Sequence, residues 1–262
     1  MENEIRQKMN TLEQKVVESY NTKSDNCKWC EEYCEKKGLQ LHGPLSFFHI
    51  GEKFENDQYK VVFVGKTHWY NKSDVEKLQF LCYKFRDCRD DGARYLLTRY
   101  SMFWGCIQDI VMQLYPNEEN DADRILSHIS VTNLTKCNTS ENYQDTTPYY
   151  LTDNCIELFE QEIRSLRPKR IIFFTGKGYD SYIDKLNFGY SIRDVTKRTD
   201  KREITNRKGI KNKYVWWWHR ELIENNEVKM NYLRTRHPQG APKEFINEIV
   251  KWINREGYLY VT

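Results

Sequence analysis

Three short apolar runs, each closing on a glycine or a polar corner, constrain this chain most. They are "YKVVFVGKTHWY" (59–70), "ISVTNLTKC" (129–137) and "KRIIFFTGKG" (169–178). Consecutive β-branched and aromatic residues of strand length describe strands buried on both faces. Between them lie segments of helical period: "SMFWGCIQDIVMQLY" (101–115), with Phe103, Ile107, Ile110, Val111 and Leu114 on one face, and "LTDNCIELFEQEIRSLRP" (151–168). The second has Asp153 or Asn154 available as cap and Pro168 as stop. "YVWWWHREL" (214–222) and "MNYLRTRHPQG" (230–240) read as two more strands, and "APKEFINEIVKWINREG" (241–257) as a closing helix. Residues 3–20 read as a helix followed by a Cys-rich turn. The alternation predicts an α/β fold, a doubly wound parallel β-sheet flanked by helices. A ligand site then belongs beyond the carboxyl ends of the strands, where Val64-Gly65-Lys66-Thr67, Asn133-Leu134-Thr135-Lys136 and His237-Pro238 fall.

At 262 residues the chain suits one domain, 1–262, with a helical extension over 1–24 and an inserted segment over 71–99. Apolar residues make up only 39%, so the 18 Tyr, 12 Phe and 7 Trp must supply much of the core. No apolar run is long enough to span a bilayer, and "MENEIRQKMNTLEQKVVESY" does not read as a signal peptide, so a cytoplasmic protein with no membrane partner is expected. Net charge is only +3, but "RDVTKRTDKREITNRKGIKNK" (193–213) concentrates cations, Arg202 and Lys208 among them. It is either a solvated loop or a contact for nucleic-acid phosphates. Eight cysteines in a chain with no secretory signal argue for metal or catalytic thiols over disulfides.

Taken in order, several segments resemble the uracil-DNA glycosylase superfamily, most closely its iron–sulfur branch. "VVFVGKTHWY" stands where that branch has a strand and Gly-Glu-x-Pro-Gly; "MFWGCIQDIVMQL" resembles its Pro-Phe-x-Gly segment and helix. "VTNLTKCN" is similar to its Thr-Asn-x-x-Lys-Cys strand end, "CIELFEQEIRSLRPKRIIFFTG" to its next helix and strand, and "RHPQG" to its His-Pro motif. The resemblance covers roughly residues 25–255 and implies a three-layer α/β/α domain acting as a monomer on DNA, through the phosphate backbone and one flipped base. It also implies a 4Fe-4S cluster on Cys27, Cys30, Cys137 and Cys155, with Cys34 an alternative to Cys30; tetrahedral zinc is the other soft-metal occupant of four thiolates. The competing reading is four ordinary buried thiols. Cys82, Cys88 and Cys106 read as structural.

The resemblance further implies that Asn133 reads the flipped pyrimidine edge, offering both a donor and an acceptor. Phe103 stacks on the base, Gly65 and Trp69 line the same pocket, and His237 faces the base O2 where negative charge grows during cleavage. Lys136, Arg236, Arg202 and Lys208 are expected on phosphates. The chain departs from the family at its first motif, where Lys66 and Thr67 replace the carboxylate that positions water. Either a carboxylate from 71–99 (Asp74, Glu76, Asp87, Asp90, Asp91) or Asp145 substitutes, or the Thr67 hydroxyl holds the water, or the protein binds without cutting. Lys66 as a Schiff-base nucleophile is the remaining reading. The expected activity is a monofunctional DNA glycosylase that excises a modified or damaged pyrimidine. Substrates that the resemblance permits range from uracil to bulky modified cytosine in phage DNA, the latter as a defence function. At strand period one or two rings of Trp216-Trp217-Trp218 enter the core, which leaves another to face DNA.

Overall fold

The computed structural model describes residues 12, 24–41, 49–67, 102–117, 126–137, 139, 149–205, 211–238 and 242–255. In chain order these form α1 (Ser24–Lys36), β1 (His49–Ile50), β2 (Val61–Gly65), α2 (Met102–Leu114), β3 (Ser130–Asn133), α3 (Tyr149–Leu166), β4 (Arg170–Phe173), a short α4 (Asp180–Ile183), β5 (Ser191–Asp194), β6 (Lys201–Thr205), β7 (Lys211–Trp216), β8 (Trp218–Glu224), β9 (Glu227–Arg234) and α5 (Lys243–Arg255). The helix expected over 3–20 lies almost wholly outside the described residues, as does the 71–99 segment. The Cys-rich turn is in fact the helix α1.

Seven strands form one sheet in the order β1-β3-β2-β4-β9-β8-β5. The middle four, β3, β2, β4 and β9, are parallel, as the apolar runs required. The flanking strands are not: β1 runs antiparallel to β3, and β8 and β5 are antiparallel on the other side. The expectation of an all-parallel sheet therefore fails at both edges. For β8 and β9 the reason is local. Only Asn225 and Asn226 separate them, both at positive φ (52° and 66°), and a two-residue turn of that kind can only make a hairpin.

Period-two alternation splits each central strand between two cores. Val61 and Phe63 face α2 and α5, with Ile172, Phe174 and Leu233. Val62 and Val64 face α3 and α4, with Ile171, Phe173 and Tyr232. The result is an α/β fold with helices on both faces of a mixed sheet. Helix α3 begins at Tyr149, ahead of the expected cap; Asn154 instead donates from inside the helix to the Tyr150 carbonyl at 3.0 Å. At its far end Arg167 takes a left-handed φ of 45° and its N–H returns to the Ile163 carbonyl at 2.8 Å, with Pro168 next to bar continuation. No helix among the described residues is long and apolar enough to cross a membrane.

From β2 the chain passes through α2 to β3 on one side, and from β3 through α3 to β4 on the other. The direction of winding thus reverses between β3 and β4, on either side of β2. In an open α/β sheet that reversal leaves a crevice at the carboxyl ends of the strands.

Candidate functional site

Gly65 ends β2 directly opposite Asn133, the last residue of β3. The two strand ends stay tied beyond the sheet, because Leu134 N–H donates to the Gly65 carbonyl (3.0 Å) and Thr135 N–H to that of Lys66 (2.9 Å). A Cβ at residue 65 would collide with Asn133 Oδ1 and come within 3.4 Å of Phe103 Cζ. Glycine is therefore what lets an amide and an aromatic ring converge on the strand end. Phe103 sits in the first turn of α2, half-buried, with the edge of Phe174 5.8 Å away at 83°. A further neighbour is His237, whose ring lies 6.1 Å off at an interplanar angle of 26°. Four expected residues, Gly65, Phe103, Asn133 and His237, thus meet at the carboxyl ends of the parallel strands.

His237 owes its place to the end of β9. Arg234, fully buried, donates from Nη2 to Asp180 Oδ2 at 2.8 Å and to the Arg198 carbonyl at 2.6 Å. Burial pulls the Arg234 guanidinium below its usual range against the pull of Asp180, and pushes the Asp180 carboxyl up despite Arg234 and Arg198. Thr235 N–H then bonds the Phe173 carbonyl at 2.9 Å, holding the strand end against β4. Arg236 turns back, its Nε 3.2 Å from the His237 carbonyl.

Thr67 donates its hydroxyl to the Cys137 carbonyl at 3.1 Å, which braces one rim loop against another and leaves oxygen lone pairs to accept from water. Lys66 is half-buried beside it. Trp69, Lys208 and the carboxylate candidates Asp74, Glu76, Asp87, Asp90, Asp91 and Asp145 lie outside the described residues.

One expected phosphate contact, Lys136, is corrected. Lys136 is completely buried: its ammonium pairs with Glu162 of α3, bonds Thr132 Oγ1 at 2.6 Å and sits 5.3 Å over the Phe159 ring. It braces β3 against α3 beneath the rim and cannot reach DNA. Arg202 points inward, bonded to Glu248 of α5 at 2.7 Å and lying 4.1 Å over Trp217. A cation's position in sequence does not tell which face of its strand meets solvent. Among the described residues of 193–213, most lie in β5, β6 and β7 rather than in a loop.

Cys30 and Cys34 of α1, Cys137 after β3 and Cys155 of α3 pack in one buried cluster with Leu151. The side chain of Cys27 lies outside the described residues. Cys30 and Cys34 both belong to this cluster, one turn apart on α1. A hydrogen bond with Cys137 draws the Cys155 thiol below its ordinary range; burial opposes this, and the Lys136 N–H (3.2 Å) and charge assist it. Burial raises Cys34, opposed by a contact with the Tyr150 hydroxyl at 3.9 Å. Four soft donors from three segments suit an iron–sulfur cluster or zinc. As they stand, no three His, Cys, Asp or Glu side chains among the described residues are grouped to hold a metal ion. Cys106 belongs to the α2 core and is driven strongly upward by burial.

Compared with models of known protein families and with curated proteins, the chain matches none.

Proposed function

We propose that this protein is a monofunctional DNA glycosylase of the uracil-DNA glycosylase type, acting on a modified or damaged pyrimidine. The observation that supports it is the meeting of Gly65, Phe103, Asn133 and His237 at the winding reversal of the sheet. In this reading a flipped pyrimidine presents its edge to the Asn133 amide while Phe103 covers its face. The bond between sugar C1′ and base N1 breaks, its electron pair leaves with the base, and His237 donates a hydrogen bond to the oxygen that gains charge. Water accepted by the Thr67 oxygen adds to C1′, its oxygen forming the new bond and its proton passing to solvent. Cys27, Cys30, Cys137 and Cys155, with Cys34 the alternative to Cys30, would hold the cluster or zinc. When bound, such a group acts as a scaffold joining α1 to the rim loops, since glycosidic hydrolysis needs no redox step.

The test is alkali-induced strand breakage on DNA containing uracil, unmodified cytosine, hydroxymethylcytosine or glucosylated hydroxymethylcytosine. Breaks confined to one member establish the activity and name its base; bulky cytosine would indicate action on modified phage DNA. The presence of Lys66-Thr67 where the family carries a carboxylate supports a second reading, a DNA-binding protein without excision activity. Binding with no breaks on any member would establish that reading and overturn the first.

A further inference from the structure

The tryptophan triplet is divided by the fold. Trp217 and Trp218 are buried on opposite sides of the molecule, one with the α2–α5 core and the other with the α3–α4 core. Trp216 is only half-buried and belongs to neither. It ends β7, paired in register with Lys201 of β6. Alternation along this hairpin is clear: Arg202, Ile204 and Val215 turn inward, and Lys201, Glu203, Tyr214 and Trp216 turn outward. Tyr214 is 60% exposed.

Three cations surround the Trp216 ring. Lys201 Nζ lies 4.6 Å from its centroid, Lys177 Nζ 5.1 Å, and the buried Arg234 guanidinium 6.0 Å. Lys177 and Lys201 are exposed. Lys177 follows Gly176, whose N–H bonds the Thr235 carbonyl at 2.9 Å, so this aromatic–cation patch lies on the same rim as His237.

We propose that the outer face of the β6–β7 hairpin binds a single nucleic-acid strand, with Trp216 stacking an unpaired base and Lys177 and Lys201 taking the neighbouring phosphates. The inference rests on the reading that the protein handles DNA and assigns the path of the strand beside the flipped nucleotide. A cation over an exposed ring is held more weakly than a stacked base, so an arriving base displaces a lysine, and the flexible ammonium moves to the phosphate that arrives with it. Glu203, opposite Tyr214, repels phosphate. The strand therefore runs across Lys177, Trp216 and Lys201 rather than out along the hairpin.

The experiment is fluorescence anisotropy of a labelled oligothymidylate over a range of salt concentrations. Trp216→Ala should weaken binding about tenfold or more, and Trp216→Phe should recover most of it. Lys177→Glu with Lys201→Glu, both at exposed positions, should weaken binding and flatten the salt slope by about 1.4, the loss of two phosphate contacts. Unchanged affinity in Trp216→Ala and an unchanged slope in the charge reversal, with cooperative melting retained, would overturn the proposal; so would a reference protein that does not bind the strand. Oligothymidylate offers no modified base. Loss of this binding effect with excision intact removes the platform alone, and absent excision with this binding intact removes the glycosylase reading alone.

Discussion

Replacing Lys136 by Met should cost about 3–5 kcal/mol, because it strands a carboxylate in the core. Both side chains of the Lys136–Glu162 pair have zero exposure, and Thr132 links them, accepting from Lys136 at 2.6 Å and donating to Glu162 at 2.9 Å. Met fills the space of the lysine stem without its charge. The folded variant must then hold a buried carboxylate that has lost its cation. Lys136→Met with Glu162→Gln removes both charges and leaves Thr132 an acceptor, so the double variant should lose only about 1–2 kcal/mol. Urea denaturation at 25 °C measures all three proteins. A single variant within 1 kcal/mol of the reference, or a double variant less stable than the single, would refute the reasoning. If folded Lys136→Met instead lost DNA affinity with a reduced salt slope, the lysine would be a phosphate contact after all.

Gly65→Ala pushes the Asn133 amide aside, and excision should fall at least about tenfold while the thermal midpoint moves by only a few degrees; full activity would place the base elsewhere. His237→Ala should abolish strand breakage and leave DNA affinity almost unchanged, read by alkali treatment and anisotropy on the same substrate. Cys155→Ser should strip iron or zinc from the purified protein, whereas Cys106→Ser, in the core that α2 shares with α5, should not; metal analysis and absorbance at about 400 nm distinguish the two. Equal metal content in both variants would remove Cys155 from the ligand set.

The central strands and α5 could be read from the chain because their burial is written locally. The five residues Val61–Gly65 are apolar or glycine and all buried, and Lys243–Arg255 repeats its apolar residues at helical period. The rim followed from the same reading, since strand ends and glycines are local features. That Gly65, Phe103, Asn133 and His237 meet is a different matter. It depends on the order β3-β2-β4-β9, and sequence supplied it only through the resemblance.

The sequence by itself determined that β2, β3, β4 and β9 are strands and α2, α3 and α5 helices, and which end of the sheet collects Gly65, Asn133 and His237, because those follow from periodicity and from where apolar runs stop. Only the tertiary structure decided what each polar side chain faces. Lys136 meets Glu162 because α3 crosses β3 at that height, and Arg202 meets Glu248 because the β6–β7 hairpin lies with its inner face on α5. Trp216 stays half-exposed while Trp217 and Trp218 enter opposite cores because the chain leaves one sheet and joins another between them. The physical reason is common to all three. The free energy of a charge or a ring is set by the partners and solvent around it, and those partners come from residues remote in the chain.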